Sequence, residues 1–158
     1  IFEHARLYPV EGELASDSGA VEIERARLRR RGGAVSLVCY GGTLDKTLAA
    51  AETLAGQGIE ADVLDLRVLR PLDEAAILET VSRTHRLVIV DEGWRSGSLS
   101  AEVAARVAER AFYELDAPIR RVCSAEVPIP YPKHLEDAAL PQPAAIVAAV
   151  RELLGENG

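Results

Sequence analysis

The chain has 158 residues, 48% of them hydrophobic, which is enough for one domain with a buried core and too little for two. Its 25 acidic against 18 basic side chains give a formal net charge of -7, which argues against long-range attraction to nucleic acid or to an anionic membrane. No apolar run approaches the roughly 18 residues a membrane-spanning helix requires, and the N-terminus lacks the layout of a signal peptide.

Residues Ile1-Phe-Glu-His-Ala-Arg-Leu-Tyr8 alternate like a strand, and Pro9, Gly12 and Ser16-Asp-Ser-Gly19 follow with the composition of a linker. An isolated strand cannot bury a face by itself, and the chain starts at Ile1 and contains no methionine. Residues 1–8 are therefore expected to be the tail of an upstream domain, 9–20 the linker, and 21–158 the domain proper. Val21 to Arg31 alternates imperfectly among glutamates and arginines and reads as an edge strand. Val35-Ser-Leu-Val-Cys39 reads as a central strand that turns at Gly41-Gly42 into a helix. That helix is expected to bury Leu44, Leu48, Ala51 and Ala55 and to stop near Gly56 and Gly58.

The unit then repeats. Ile59 to Leu66 is the next strand, and Asp73 is placed to cap a helix with Ala76, Ile77 and Val81 inward. Leu87-Val-Ile-Val-Asp91 is the most continuous apolar run and so the most interior strand. Ser98 or Ser100 is the expected cap of a helix carrying Val103, Val107, Ala111 and Leu115. Ile119 to Cys123 supplies a further strand, and Pro143 opens a last helix bearing Ile146, Val147, Val150, Leu153 and Leu154. Strands alternating with helices call for right-handed crossovers and helices on both faces of the sheet. The predicted fold is α/β: a three-layer α/β/α sandwich with a mostly parallel central sheet and one antiparallel edge strand. Cys39 and Cys123 fall in predicted strands without metal-ligand spacing, so both are expected to be buried, inert thiols of a reducing compartment.

Folds of this class place ligands at the carboxyl ends of their strands. Tyr40-Gly-Gly-Thr43 is a candidate anion turn, but it lacks the dinucleotide glycine spacing and a Walker lysine, so a geometric turn is the simpler reading. Asp91-Glu92 is a candidate acid/base pair with no histidine or nucleophile near in sequence; alternatively Asp91 fixes the next loop through backbone hydrogen bonds while Trp94 packs. His4, His85 and His134 are scattered and do not suggest zinc. Lys133, His134, Glu136 and Asp137 lie in a proline-rich loop, a cluster as consistent with a polar interface rim as with catalysis, and the interface is the favoured reading. Gly41, Gly42, Thr43, Glu92, Trp94, His134 and Glu136 are thus the candidate anion or interface positions, and no catalytic, cofactor or metal residue is assigned.

Several blocks occur in a telling order: Gly41-Gly-Thr-Leu44, Asp65-Leu-Arg67 with Pro71-Leu-Asp73, Val90-Asp-Glu-Gly-Trp94, Pro128-Ile-Pro130 with Tyr131, and His134-Leu-Glu136 with Ala139-Leu-Pro141. Together they resemble the C-terminal domain of the beta subunit of thiamine-dependent 2-oxo acid dehydrogenases, such as the pyruvate dehydrogenase decarboxylating component, a transketolase C-terminal-domain-like module. The resemblance departs from the family at Gly97-Ser-Leu-Ser100, where a glycine-rich turn is usual. It implies an enzyme of two alpha and two beta subunits that decarboxylates a 2-oxo acid on thiamine diphosphate with magnesium. It also implies docking to a dihydrolipoyl acyltransferase core, with the cofactor held by the alpha subunit and by an upstream pyrimidine-binding domain. On that reading the present residues assemble the enzyme and bind no cofactor, in a bacterial cytoplasm or a mitochondrial matrix. Two other readings stay open: a freestanding anion or small-ligand binding regulatory module, and the C-terminal domain of a transketolase-like enzyme.

Overall fold

Three runs that are too apolar to face water on either side become the interior of one sheet. In the computed structural model, which describes residues 3–13, 16 and 19–155, the elements run β1 (Arg27–Arg30), β2 (Val35–Cys39), α1 (Leu44–Ala55), β3 (Ala61–Asp65), α2 (Glu74–Thr84), β4 (Leu87–Trp94), α3 (Leu99–Ala111), β5 (Arg120–Ser124), α4 (Lys133–Ala139) and α5 (Pro143–Leu153). The five strands are ordered β1-β3-β2-β4-β5. The pairs β2–β3, β2–β4 and β4–β5 are parallel, and β1 lies antiparallel on β3. β2 and β3 are buried at every position, whereas the outer strands β1 and β5 are exposed or half-buried along most of their length.

Alternation along each strand divides the core in two. Val35, Leu37, Val63, Val88 and Val90 face α1 and α5 through Ala50, Ala51, Leu54, Ile146 and Val150. Val38, Leu64, Leu87 and Ile89 face α2 and α3 through Ile77, Val81, Val103 and Val107. Each such side chain removed from water stabilises the fold by about 1.5–3 kcal/mol before the entropy of ordering it is subtracted. The expected three-layer sandwich with its antiparallel edge is therefore the observed one. No helix is long and apolar enough to cross a membrane among the described residues.

The amino end of the sheet is closed by a buried ion pair. Asp62 has no exposed surface, and its carboxylate accepts from Gly32 N at 2.7 Å, from the Thr80 hydroxyl at 2.5 Å and from the Arg83 guanidinium. A charge so far from water persists only when its lone pairs are met in this way. The Ser36 hydroxyl donates to the Thr80 carbonyl at 3.0 Å, which ties α2 to β2.

Local details depart from the sequence expectations where packing overrides pattern. On α1 the fully buried stripe is Thr47, Ala50, Ala51 and Leu54, with Leu44 and Leu48 at its margin. Thr47 is tolerated inside because its hydroxyl donates to the Thr43 carbonyl at 2.7 Å. The strand expected over Val21 to Arg31 shrinks to four residues, Arg27–Arg30. α3 ends at Ala111 and continues as a short 3-10 turn, Phe112–Glu114, which leaves Leu115 partly buried. Residues Ala5–Leu7 of the strand-like N-terminal stretch form a 3-10 turn, while Ile1 and Phe2 lie outside the described residues. Cys39 is buried, but Cys123, on the edge strand, is only partly so.

Candidate functional site

From β2 the chain passes over α1 to reach β3, and from β4 it passes over α3, on the opposite face, to reach β5. The carboxyl ends of β2 and β4 therefore diverge, and a crevice opens where α/β sheets of this kind admit ligands. Tyr40, Gly41, Gly42 and Thr43 form one wall and Asp91 and Glu92 the other.

The turn on the first wall is closed by Thr43, whose buried hydroxyl donates to the Tyr40 carbonyl at 2.7 Å and accepts from Tyr40 N at 3.2 Å. Gly41 has φ +54, a conformation costly for residues with a Cβ. Asp91 anchors the second wall. One carboxylate oxygen accepts from the Tyr40 hydroxyl at 2.5 Å and from Gly93 N at 2.7 Å, and the other accepts from Ser100 N at 2.9 Å. Burial alone would raise its pKa. The hydrogen bonds from Tyr40, Gly93 and Ser100 outweigh that, and the carboxyl sits below its ordinary value. Burial, followed by the bond to Asp91, pushes the Tyr40 hydroxyl pKa upward. The pair is thus fixed as carboxylate and neutral phenol. With three donors already on it, Asp91 is poorly placed for proton transfer.

This geometry shows which atom caps α3. Ser98 occupies the N-cap position but makes no side-chain capping bond; its hydroxyl meets that of Ser100 at 2.7 Å. The Asp91 carboxylate, reaching across from the sheet, satisfies the free N–H of Ser100 instead. Trp94, expected to pack, is 47% exposed, and its indole N–H donates to the Val127 carbonyl at 3.2 Å.

The crevice itself is filled from within the chain. The ring of His4 lies against the glycine turn: a Cβ built on Gly42 would stand 2.5 Å from His4 Cε1 and 2.7 Å from Glu92 Oε1. His4 Nε2 and Glu92 Oε2 are 2.6 Å apart. A histidine does adjoin Asp91-Glu92, brought there from 88 positions away. Lys46, on the first turn of α1, belongs to the same corner, where burial and the nearby Arg6 lower its pKa and Glu92 acts the other way. Arg6 also approaches Glu136 at 3.9 Å.

The structure therefore gathers Gly41, Gly42, Thr43 and Glu92 at one place and sets Glu136 at its rim through Arg6. Trp94 and His134 make none of these contacts and are exposed. His134 and Glu136 lie on α4, a helix that the surrounding prolines concealed in the sequence. His4 and Lys46 were missed as site residues. The nearness of the β2 and β4 ends follows from the strand order that the folded sheet adopts, and no local signal reports that residue 4 returns to them. For a diphosphate or a divalent ion the fit is poor: His4 already occupies the approach to Gly42, and no group of three or more His, Cys, Asp or Glu side chains able to hold a metal occurs among the described residues.

Comparisons with known proteins agree with this architecture. The chain is 42% identical over 152 residues to the beta subunit of acetoin:2,6-dichlorophenolindophenol oxidoreductase from Cupriavidus necator, covering 96% of this chain and 45% of that protein. It is 42% identical over 153 residues to the mitochondrial pyruvate dehydrogenase E1 component subunit beta of Drosophila melanogaster, covering 96% and 42%. With the 2-oxoisovalerate dehydrogenase subunit beta of Bacillus subtilis it shares 38% identity over 154 residues, covering 96% and 47%. The chain thus spans less than half the length of these relatives. Among solved structures, a split gene transketolase described as an inactive beta4 tetramer superposes with a TM-score of 0.76 at 27% identity, over 91% of this chain and 46% of that one. Residues 24–146 match the family model described as Transketolase, C-terminal domain, and with that match covering most of the sheet and its helices, the chain belongs to the transketolase C-terminal domain family.

Proposed function

We propose that this chain is the C-terminal assembly domain of the beta subunit of a thiamine diphosphate-dependent 2-oxo acid dehydrogenase. It contributes contacts to an alpha subunit, to a second beta subunit and to a dihydrolipoyl acyltransferase core, and the chemistry resides on other portions of the enzyme. The observation that carries this reading is the filled crevice: the place where the fold would present a ligand site is taken by His4, and Asp91 is committed to the Tyr40, Gly93 and Ser100 donors. The similarity to beta subunits over nearly the whole chain supports the enzyme class. An exposed apolar group comprising Trp94, Val127, Ile129, Tyr131 and Leu135 supports a role in assembly. Residues 1–20 serve, on this reading, as the connection to a pyrimidine-binding domain.

The test is direct. The full chain, supplied with thiamine diphosphate, magnesium and each of pyruvate, a branched-chain 2-oxo acid and acetoin, is expected to show no turnover; turnover with any of them would overturn the proposal. The alternative binding module predicts a saturable calorimetric signal with inorganic phosphate or an acyl-CoA that Gly42→Val abolishes. The contact between His4 and Gly42 weighs against that outcome.

A further inference from the structure

Glu92 lies between two competing partners, the His4 ring and the Lys46 ammonium. His4 holds one carboxylate oxygen at 2.6 Å. The other oxygen, Oε1, is buried and has no hydrogen-bond partner among the described residues, and the same is true of Lys46 Nζ and His4 Nδ1. Each buried polar atom left unmet costs about 1–3 kcal/mol, so the closed arrangement is held by one strong contact and opposed by several unmet ones. The rest of the strap adds little. None of its described residues from Glu3 to Val10 is buried. Its internal bonds, Leu7 N to the His4 carbonyl at 2.9 Å and Val10 N to the Leu7 carbonyl at 3.1 Å, do not anchor it to the domain. Its ionic contact, Arg6 to Glu136 at 3.9 Å, is long and partly exposed.

Lys46 is the group that gains if the strap leaves. Its ammonium is crowded by Arg6 and desolvated at this corner, while Glu92 and Asp137 attract it and Lys133 repels it. Departure of the strap removes Arg6, admits water to all three unmet atoms and leaves the Glu92 carboxylate open to a flexible lysine. One carboxylate then has two alternative partners, His4 in the closed arrangement and Lys46 in a less populated open one, which is what a two-state element requires. We propose that Glu92 is a two-position latch: closed, it grips His4 and the strap Glu3–Val10 covers the strand-end crevice; open, it pairs with Lys46 and the Gly41–Gly42 turn is uncovered. The latch goes beyond the assembly role and does not depend on it.

The test uses limited trypsin digestion of the full chain, with cleavage of the Arg6–Leu7 bond read by mass spectrometry and amide exchange of Leu7 and Val10 measured alongside. Ser36, whose amide donates to the Arg86 carbonyl within the sheet, serves as the control for intact folding. His4→Ala is expected to speed Arg6–Leu7 cleavage roughly tenfold, the effect of losing one charge-assisted hydrogen bond. Lys46→Met is expected to slow it severalfold, because the open state loses its replacement partner, whereas Lys46→Arg stays near the parent rate. Should His4→Ala disturb Ser36 exchange, the two Lys46 variants decide the matter. A Lys46→Met rate equal to or faster than the parent, or a Lys46→Arg rate matching that of Lys46→Met, would overturn the latch. So would unchanged cleavage in a folded His4→Ala chain.

Discussion

Replacing Asp91 by alanine is the most severe single change that the strand-end geometry predicts. It removes one carboxylate and leaves three donors without their acceptor: the Tyr40 hydroxyl, Gly93 N and Ser100 N. A hydrogen bond to a charged group is worth about 1.5–3 kcal/mol, and losing a helix N-terminal cap costs about 0.5–2 kcal/mol. These figures describe overlapping interactions, and Ser100 alone among the donor residues is fully buried. The expected loss is therefore about 3–5 kcal/mol, a large part of the roughly 5–15 kcal/mol typical of a single domain. Equilibrium urea unfolding at pH 7, followed by circular dichroism and by the fluorescence of Trp94, measures it. Tyr40→Phe alone is expected to cost about 1–2 kcal/mol. Because Tyr40 and Asp91 share a bond, the double-variant cycle should show coupling of about 1 kcal/mol or more. Acid titration supplies an independent check. The folded Asp91 carboxyl lies below its ordinary value of 3.8, so its contribution is complete above that value and is lost as pH falls through the lower folded one. Asp91→Asn should accordingly flatten the loss of stability below pH 3.8. An alanine variant within about 1 kcal/mol of the parent, or a cycle without coupling, would refute the assignment of Asp91 as the anchor of this crevice.

The remaining expectations concern other contacts. Arg83→Met should destabilise the chain by about 3–5 kcal/mol, because Asp62 then keeps a buried charge without its cation; adding Asp62→Asn should recover part of that loss in the same urea assay. Gly32→Ala should cost about 2 kcal/mol or more, since the new Cβ would lie 2.4 Å from the Glu60 backbone carbonyl, which has nowhere to move. Gly42→Ala meets only the ends of the His4 and Glu92 side chains, so thermal melting should shift by less than for Gly32→Ala while exchange protection of Leu7 and Val10 is lost. In native buffer an aromatic disulfide reagent should label Cys123 ahead of Cys39, whose thiol burial pushes up to about 12; equal labelling rates would contradict the packing of β2.

Much of the fold was legible because the sheet is buried on both sides. Val35–Cys39 and Leu87–Asp91 carry apolar residues on both alternating faces, and each is followed by a helix-period stripe, so layers and parallel crossovers follow from pattern alone. Errors arose where a polar residue found a partner inside. Thr47 reads as a surface residue until its bond to the Thr43 carbonyl is seen. Ser98 or Ser100 reads as the α3 cap; Ser98 takes the N-cap position, but the capping acceptor is the Asp91 carboxylate, which reaches Ser100 N from the sheet. The short helix α4 was hidden because prolines at 128, 130 and 132 precede it, and such prolines read as loop.

Taken alone, the sequence settled the α/β class, the interior and edge strands, and the location of the glycine turn and the acidic pair at strand ends, because those depend on local periodicity and on turn chemistry. Tertiary structure alone decided what occupies the space between those ends. The meeting of His4 with Gly42 and Glu92 joins positions 88 residues apart, and neither propensity nor hydrophobic period carries information over such a separation. It is fixed by where the packed sheet brings β2 and β4 together and by the missing Cβ that lets an imidazole ring approach the backbone.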